Sequence, residues 1–461
     1  MNGFSSRRGH PAKLSPTART VSLDVLRAVH TRDAFANLEL QSVLRKAKLG
    51  SSDAAFATEL SYGSLRMQGL YDSVISVAAG RPVAEIDDTI LDILRLGAHQ
   101  CLALHTPSHA AVNESVRLAR WYSSSGAAGF TNAVMRRITE RTRDEWVSLI
   151  SSDQTIDQVL ALTYSHPEWI VRALRAALAH ESSDDEIGDL LESDNLPARV
   201  SLTRLFDADD IPLTQEGIYS PRALTLLGGD PHSIEAVTVG DVRIQDEGSQ
   251  LAALTLTRCA PIRSDERWLD LCAGPGGKTA ILAAESNATG VTIDANEVLP
   301  HRADLVRDSV RRFPHVRVVV GDGREIAQTH PNTYDRILVD APCSGLGALR
   351  RRPEARWRRT PHDVATLTGL QVELLRSALA ALKPGGVLAY VTCSPHLVET
   401  RGVVNRVLTE FPSVTELDTR EVLKRIVRSP IDLRGPDLST QLWPHRHGTD
   451  AMFIALLTRA E

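Results

Sequence analysis

The chain has 461 residues, enough for two or three domains with separate cores, and its 43% hydrophobic and 24% charged composition is that of a globular protein. The formal net charge of −5 gives no sign of nucleic-acid binding, so any such contact must rest on a local basic patch. No uncharged apolar run reaches the roughly 18 residues of a membrane helix, and the cysteines at 101, 259, 272, 343 and 393 show neither CxxC nor Cys/His zinc spacing, so no membrane span, disulfide framework or metal site is expected.

In chain order, residues 1–20 carry Arg7, Arg8, Lys13 and Arg19 among Ser, Pro and Gly without the apolar stretch of a secretory signal, and are expected to be a disordered basic tail. Residues 21–150 show apolar positions at helical spacing, as over Val21 to Val29 and Ile86 to Leu96, with Pro82 and Pro107 between segments, which predicts an all-α domain. Residues 151–244 are less regular. Glu181, Asp184, Asp185, Glu186, Asp189, Glu192 and Asp194 are expected on a solvated helix or loop, and Ala198 to Leu202 reads as a strand, giving a small α+β connector. From Gln245 to the end, strands predicted at 268–271, 290–293, 316–320, 336–339, 387–391 and 452–457 alternate with helices, the pattern of a mainly parallel, doubly wound sheet.

The run Leu269-Asp270-Leu271-Cys272-Ala273-Gly274-Pro275-Gly276-Gly277-Lys278-Thr279 is a buried strand, a glycine-rich turn and a helix start. Glycines let backbone approach a ligand, and the helix N-terminus offers unpaired N–H groups. A phosphate-binding P-loop would need glycine where Cys272 stands, and a dinucleotide fingerprint would need it at Thr279. A ligand with a carboxylate and a ribose but no phosphate, S-adenosylmethionine, fits better. Asp294, read as the end of the next strand 17 residues after Gly277, is expected at the ribose, and Asp322 after the third strand at the adenine amine. An aspartate after a strand is more commonly a helix cap, but three such positions in register favour a site.

Asp340-Ala341-Pro342-Cys343-Ser344-Gly345 follows the fourth strand, and Thr392-Cys393-Ser394 the fifth, so two thiols and a carboxylate are expected on one rim. A lone strand-end cysteine is usually a small buried hydrophobe; two beside a cofactor turn suggest chemistry. Carbon 5 of cytosine is too weak a nucleophile to take a methyl group unaided, whereas thiolate addition at carbon 6 makes it enamine-like. Nucleophile, acid and release group are three roles for Cys393, Cys343 and Asp340.

With these motifs the chain resembles the Sun/Fmu (RsmB-type) branch of the Nol/Nop/Sun RNA cytosine-C5 methyltransferases. The resemblance implies that Cys393 is the nucleophile, that Cys343 assists release, and that Asp340 acts on the base and lies at the cofactor. It places Cys272, Ala273, Gly274, Pro275, Gly276, Gly277, Lys278, Asp294 and Asp322 at the cofactor too. Gln245 to Gln250 matches the opening of the catalytic domain, Glu59 to Arg66, Arg95 to Ala98 and Thr131 to Arg136 a NusB-like RNA-binding domain, and Ser165 to Trp169 the connector. Glu399 matches an acidic position, while Pro395-His396 departs from the aliphatic residue of many relatives.

The implied fold is therefore a Rossmann-like methyltransferase domain over 245–461, after a NusB-like domain and the α+β connector. Arg350, Arg351, Arg352, Arg356 and Trp357 are expected to contact RNA through phosphate pairing and base stacking, and Arg117, Arg120, Arg136, Arg137, Arg141 and Arg143 form a second basic stretch. The substrate implied by the branch is 16S ribosomal RNA before subunit assembly, with transfer RNA the runner-up, and the enzyme is expected to be a cytoplasmic monomer. Two other readings compete: an S-adenosylmethionine enzyme acting on protein or a small molecule, and an RNA-binding factor with a dead catalytic domain.

Overall fold

The computed structural model describes residues 15–207 and 211–460. Residues 1–14, most of the expected basic tail, lie outside them. Of the remainder, Ala18, Arg19 and Thr20 are already helical. The first helix, Ala18–Arg32, starts with Thr17 as its cap, and Arg19 donates from Nε to Gln100 Oε1 at 2.8 Å. The described residues divide into two compact units between His166 and Pro167, with Arg352–Glu354 grouped with the first.

Among its described residues the first unit is helical, running from Ala18–Arg32 to Ile156–Thr163. Leu23, Leu26, Leu60, Leu70, Ile93, Leu94 and Trp146 fill its core. Two glycines in the motifs quoted above allow its helices to close. A Cβ on Gly63 would sit 2.1 Å from His99 Nε2, and one on Gly97 would sit 2.5 Å from Met135 Sδ. Arg95 is buried but forked onto Asp72 at 2.7 and 2.8 Å, with Asp92 at 2.9 Å.

The second unit opens with helices Glu168–His180 and Ile187–Ser193. Next comes an antiparallel sheet of β1 (Ser201–Arg204), β2 (Thr214–Glu216), β3 (Ala223–Leu226) and β4 (Val242–Ile244), in the order β2-β3-β1-β4. The acidic cluster is solvated only in part: Asp184, Asp185, Asp189 and Glu192 are exposed as expected, but the other three are not. Glu181 accepts from Arg446 at 2.6 Å and from the Trp443 indole at 3.0 Å, Glu186 takes Arg446, Arg434 and His445, and Asp194 is buried. The partners lie about 250 residues further along the chain, so no local pattern could announce them.

Strands β5 (Arg267–Asp270), β6 (Thr292–Glu297), β7 (Val316–Val320), β8 (Tyr334–Asp340), β9 (Leu382–Thr392), β10 (Val414–Leu417), β11 (Thr440–Gln441) and β12 (Phe453–Arg459) form the large sheet. Its order is β10-β12-β9-β8-β5-β6-β7, with β11 on β12. The five strands from β9 to β7 are parallel, and β12 runs antiparallel to both β9 and β10. One face packs on Leu251, Leu254, Ile281 and Leu282, the other on Val372, Leu375, Leu379 and Val404. Cover on both faces explains why the central strands read as unbroken apolar runs. The six expected strands are present; β10 and β11 were not foreseen, being short and half-exposed.

Candidate active site

Strand β5 ends at Asp270, and the chain turns through Leu271 to Gly276 into helix Gly277–Glu285. Gly276 sits at φ +100°, and a Cβ there would meet Ser309 at 2.5 Å. No side chain caps this helix, so its first N–H groups face the turn unpaired. Ala273 N donates to Asn296 O at 2.9 Å, and the Asn296 amide spans to the carbonyls of Leu271 (3.0 Å) and Gly321 (3.1 Å). The turn is thus bolted to the ends of β6 and β7.

The acid at this rim is not the one expected. β6 runs on to Glu297, which leaves Asp294 inside the strand. Asp294 is engaged there by Arg267 at 2.6 Å, Arg317 at 2.8 Å and the Tyr334 hydroxyl at 2.9 Å. Burial pushes its carboxyl up, but the hydrogen bonds from Arg317, Arg267 and Tyr334 outweigh this and hold it below the usual range. Glu297 is the residue at the strand end. It is buried and accepts from Gly274 N and Leu299 N, each at 3.0 Å. A Cβ on Gly274 would lie 2.2 Å from Glu297 Oε2, so this glycine is required for close approach. The only cue was that an acid ends the run Thr292 to Glu297, and Asp294 masked it. Asp322 caps the short turn Gly323–Glu325 and pairs with Arg324, the commoner use of such an aspartate.

Beside the turn, Lys278 Nζ meets Asp340 Oδ2 at 2.7 Å. Buried Asp270 accepts from Thr279 at 2.7 Å, and burial raises its carboxyl to about 7. Cys272 is a half-buried thiol pushed up by burial. The strand-end cysteines do meet. Cys343 Sγ lies 3.4 Å from Cys393 Sγ. Their loops interlock: Ala341 N donates to Val391 O, Gly347 N to Cys393 O, and Ala451 N to Gly347 O, at 2.8 to 2.9 Å. A Cβ on Gly347 would reach Ala451 O at 2.2 Å. With Cys343 donating and Cys393 accepting, the Cys393 thiol is held below its usual range, aided by Lys278, and Cys343 is held well above it.

The arginine run is largely structural, which corrects the expectation for three of its members. Arg350 is buried and donates to Gly448 O at 3.0 Å. Arg351 pairs with Asp246 at 2.7 Å and Asp450 at 3.0 Å. Arg356 has no exposed surface and bonds Asn195 Oδ1 at 2.9 Å. These guanidiniums are spent inside the protein because acids and carbonyls distant in sequence surround them. Arg352 is exposed and Trp357 half-buried. In the helical unit, Arg117 pairs with Glu114, Arg137 and Arg143 bond the carbonyls of Ala78 and Thr163, and Arg141 packs over Trp146. Arg120 and Arg136 are exposed.

Parallel strands flanked by helices, one antiparallel strand between β9 and β10, and a glycine-rich turn after the central strand define a Rossmann-like methyltransferase domain, here joined to a helical NusB-type unit. Residues 258–458 match the family model of the 16S rRNA methyltransferases RsmB/F, and residues 16–140 that of the NusB family. A Mycobacterium tuberculosis protein named as a candidate methyltransferase is 46% identical over 461 residues, covering 98% of each chain. Ribosomal RNA small subunit methyltransferase B of Vibrio cholerae is 30% identical over 422 residues, covering 88% of this chain and 90% of its own. The crystal structure of PH0851 superposes with a TM-score of 0.78 at 23% identity, over 97% of this chain and 100% of that one. The chain belongs to the ribosomal RNA small subunit methyltransferase B family.

Proposed function

We propose that the protein methylates carbon 5 of a cytosine in RNA, with 16S ribosomal RNA before subunit assembly as substrate and S-adenosylmethionine as donor. The observation that carries this is the pair of thiols 3.4 Å apart at the ends of two adjacent strands, next to a Lys278–Asp340 ion pair and an uncapped glycine-rich helix start. An enzyme methylating a protein or small molecule directly has no use for a second thiol there.

The turn 272–278 fits S-adenosylmethionine. The N–H groups of its helix start at Gly277 and Lys278, which no side chain caps, suit a carboxylate, and Glu297 at the strand end suits ribose hydroxyls, the role expected of Asp294. Asp322 would accept from the adenine amine on release from Arg324, with which it pairs. When bound, the cofactor supplies an electrophilic methyl group. Cys393, as thiolate, adds to carbon 6 of the cytosine, and a proton delivered to N3 through Asp340 neutralises the negative charge that the addition places there. Carbon 5 takes the methyl group, a base at the rim then takes the carbon-5 proton with the Cys343 sulfur assisting, N3 returns its proton through Asp340, and the Cys393 thiolate leaves as the 5,6 double bond re-forms. Lys278 holds Asp340 in place and favours the Cys393 thiolate by its charge. Arg117, Arg120, Arg136, Arg137, Arg141 and Arg352 are exposed in the two basic stretches; of these Arg120, Arg136 and Arg352 are the ones through which RNA phosphates would be held. A ribosomal substrate puts the enzyme in the cytoplasm.

Bisulfite sequencing of total RNA from a deletion strain tests the reading. One 16S cytosine should lose its protection and regain it on complementation. Full protection of every 16S site, with loss at a transfer RNA site, would give the transfer RNA reading instead.

A further inference from the structure

Either cysteine could attack the base on distance alone, because both lie at the same rim. What breaks the symmetry is a buried carboxylate behind them. Glu399 has no exposed surface. Its Oε1 accepts from Ser344 N at 2.7 Å and Gln371 Nε2 at 3.1 Å, and its Oε2 from Ser344 Oγ at 2.5 Å and Ser394 Oγ at 2.7 Å. The Tyr390 hydroxyl donates to the Glu399 carbonyl at 2.7 Å. Ser344 follows Cys343 and Ser394 follows Cys393, and the two hydroxyls lie 3.1 Å apart. One carboxylate therefore gathers donors from both cysteine loops.

We propose that Glu399 is a positioning residue that makes Cys393, and not Cys343, the nucleophile: it ties the two loops together and sets its carboxylate on the Cys343 side of the pair. This rests on the covalent mechanism above. The charges facing each sulfur differ. Glu399 takes two of its bonds from Ser344, the residue after Cys343, and only one from Ser394, so its carboxylate lies on the Cys343 side, where, with the Cys393 sulfur and burial, it opposes ionisation of Cys343. Cys393 faces Lys278, which favours its thiolate, with Asp340 and Asp450 opposing and the Cys343 thiol available as donor. His396, at the start of the intervening loop, is kept towards its neutral form by burial and adds no opposing cation. A bidentate clamp four hydrogen bonds deep also keeps the sulfurs within donor range. Glu399 touches neither substrate nor cofactor and acts only through the cysteines.

The test reads the thiols directly, without RNA or cofactor, so it stands even if the proposed methylation does not. The full-length protein is treated with iodoacetamide across pH 6 to 10, and alkylation at each cysteine is followed by peptide mass spectrometry. In the wild type Cys393 should label first, with the lower midpoint. In Glu399→Gln the Cys343 to Cys393 labelling ratio near neutral pH should rise at least about tenfold, the equivalent of about one unit in relative pKa. Glu399→Asp, which keeps the charge, should restore the preference for Cys393. Preferential labelling of Cys343 in the wild type overturns the proposal without any variant. A ratio unchanged in a folded Glu399→Gln protein overturns it too. With methylation established, Glu399→Gln should lower kcat and leave KM for the cofactor unchanged.

Discussion

Replacing Glu297 by Gln should cost the protein most of its affinity for S-adenosylmethionine, whereas Asp294→Asn should cost stability instead. Glu297 is 3% exposed and already accepts from the N–H groups of Gly274 and Leu299. An amide keeps one neutral acceptor where the carboxylate offered charged ones. Hydrogen bonds to charged groups are worth about 1.5–3 kcal/mol, or about ten- to 150-fold in Kd. Asp294 answers to Arg267, Arg317 and Tyr334. The Arg317 side chain is 62% exposed and Arg267 36%, so water takes over part of what they lose. The loss is then about 1–2 kcal/mol of stability, a few degrees in Tm. The Asp294 carboxyl is held below its ordinary value in the folded state, so its contribution is present above the unfolded pKa of about 3.9 and vanishes as pH falls further. The Tm gap between wild type and Asp294→Asn should therefore close in acid. Titration calorimetry and thermal unfolding decide between the two residues. A folded Asp294→Asn protein with cofactor affinity reduced more than about tenfold, beside an unaffected Glu297→Gln, would refute the assignment.

Cys393→Ala should abolish both methylation and any covalent link to RNA, whereas Cys343→Ala should transfer methyl and stall as a protein–RNA adduct visible on denaturing gels; the reverse pattern would exchange the two roles. Asp270, raised by burial to about 7, ionises earlier in the unfolded chain, so it erodes stability as pH climbs from about 4 to 7. Asp270→Asn should therefore compare better with the wild type at pH 8 than at pH 5, by up to a few kcal/mol at about 1.4 per pKa unit; urea unfolding showing the same difference at both would refute this. Arg120→Glu with Arg136→Glu should weaken RNA binding and flatten its salt dependence by about 0.7–0.9 in slope for each phosphate left without its arginine. Arg356→Met should instead lower the unfolding midpoint, since Arg356 is wholly buried; equal RNA affinity in the double variant would remove that surface from recognition.

Local sequence carried the elements and their order. Alternation and apolar runs marked six of the eight strands from Arg267 to Arg459, all but β10 and β11, because a sheet covered on both faces favours apolar residues along its central strands. Gly274 to Gly277 announced a backbone turn, and two cysteines after adjacent strands announced a rim, because the chemistry of a parallel sheet gathers where its strands end. Which charged side chains were free was not legible. Six arginines within ten residues look like an RNA stripe, yet Arg350, Arg351 and Arg356 are occupied by Gly448, Asp246, Asp450 and Asn195, all distant in sequence. The same holds for Asp294 against Glu297. Both are acids in one strand, and only the register of β6 against β5 and β7 decides that Asp294 lies within the sheet while Glu297 reaches the glycine turn. Hydrophobic patterning depends on neighbours three or four residues away, but the state of a charge depends on whatever the fold brings to within about 4 Å of it. That is why sequence alone determined the central strands, the turn and the two cysteines, and the tertiary structure decided which carboxylates and guanidiniums remain available for chemistry.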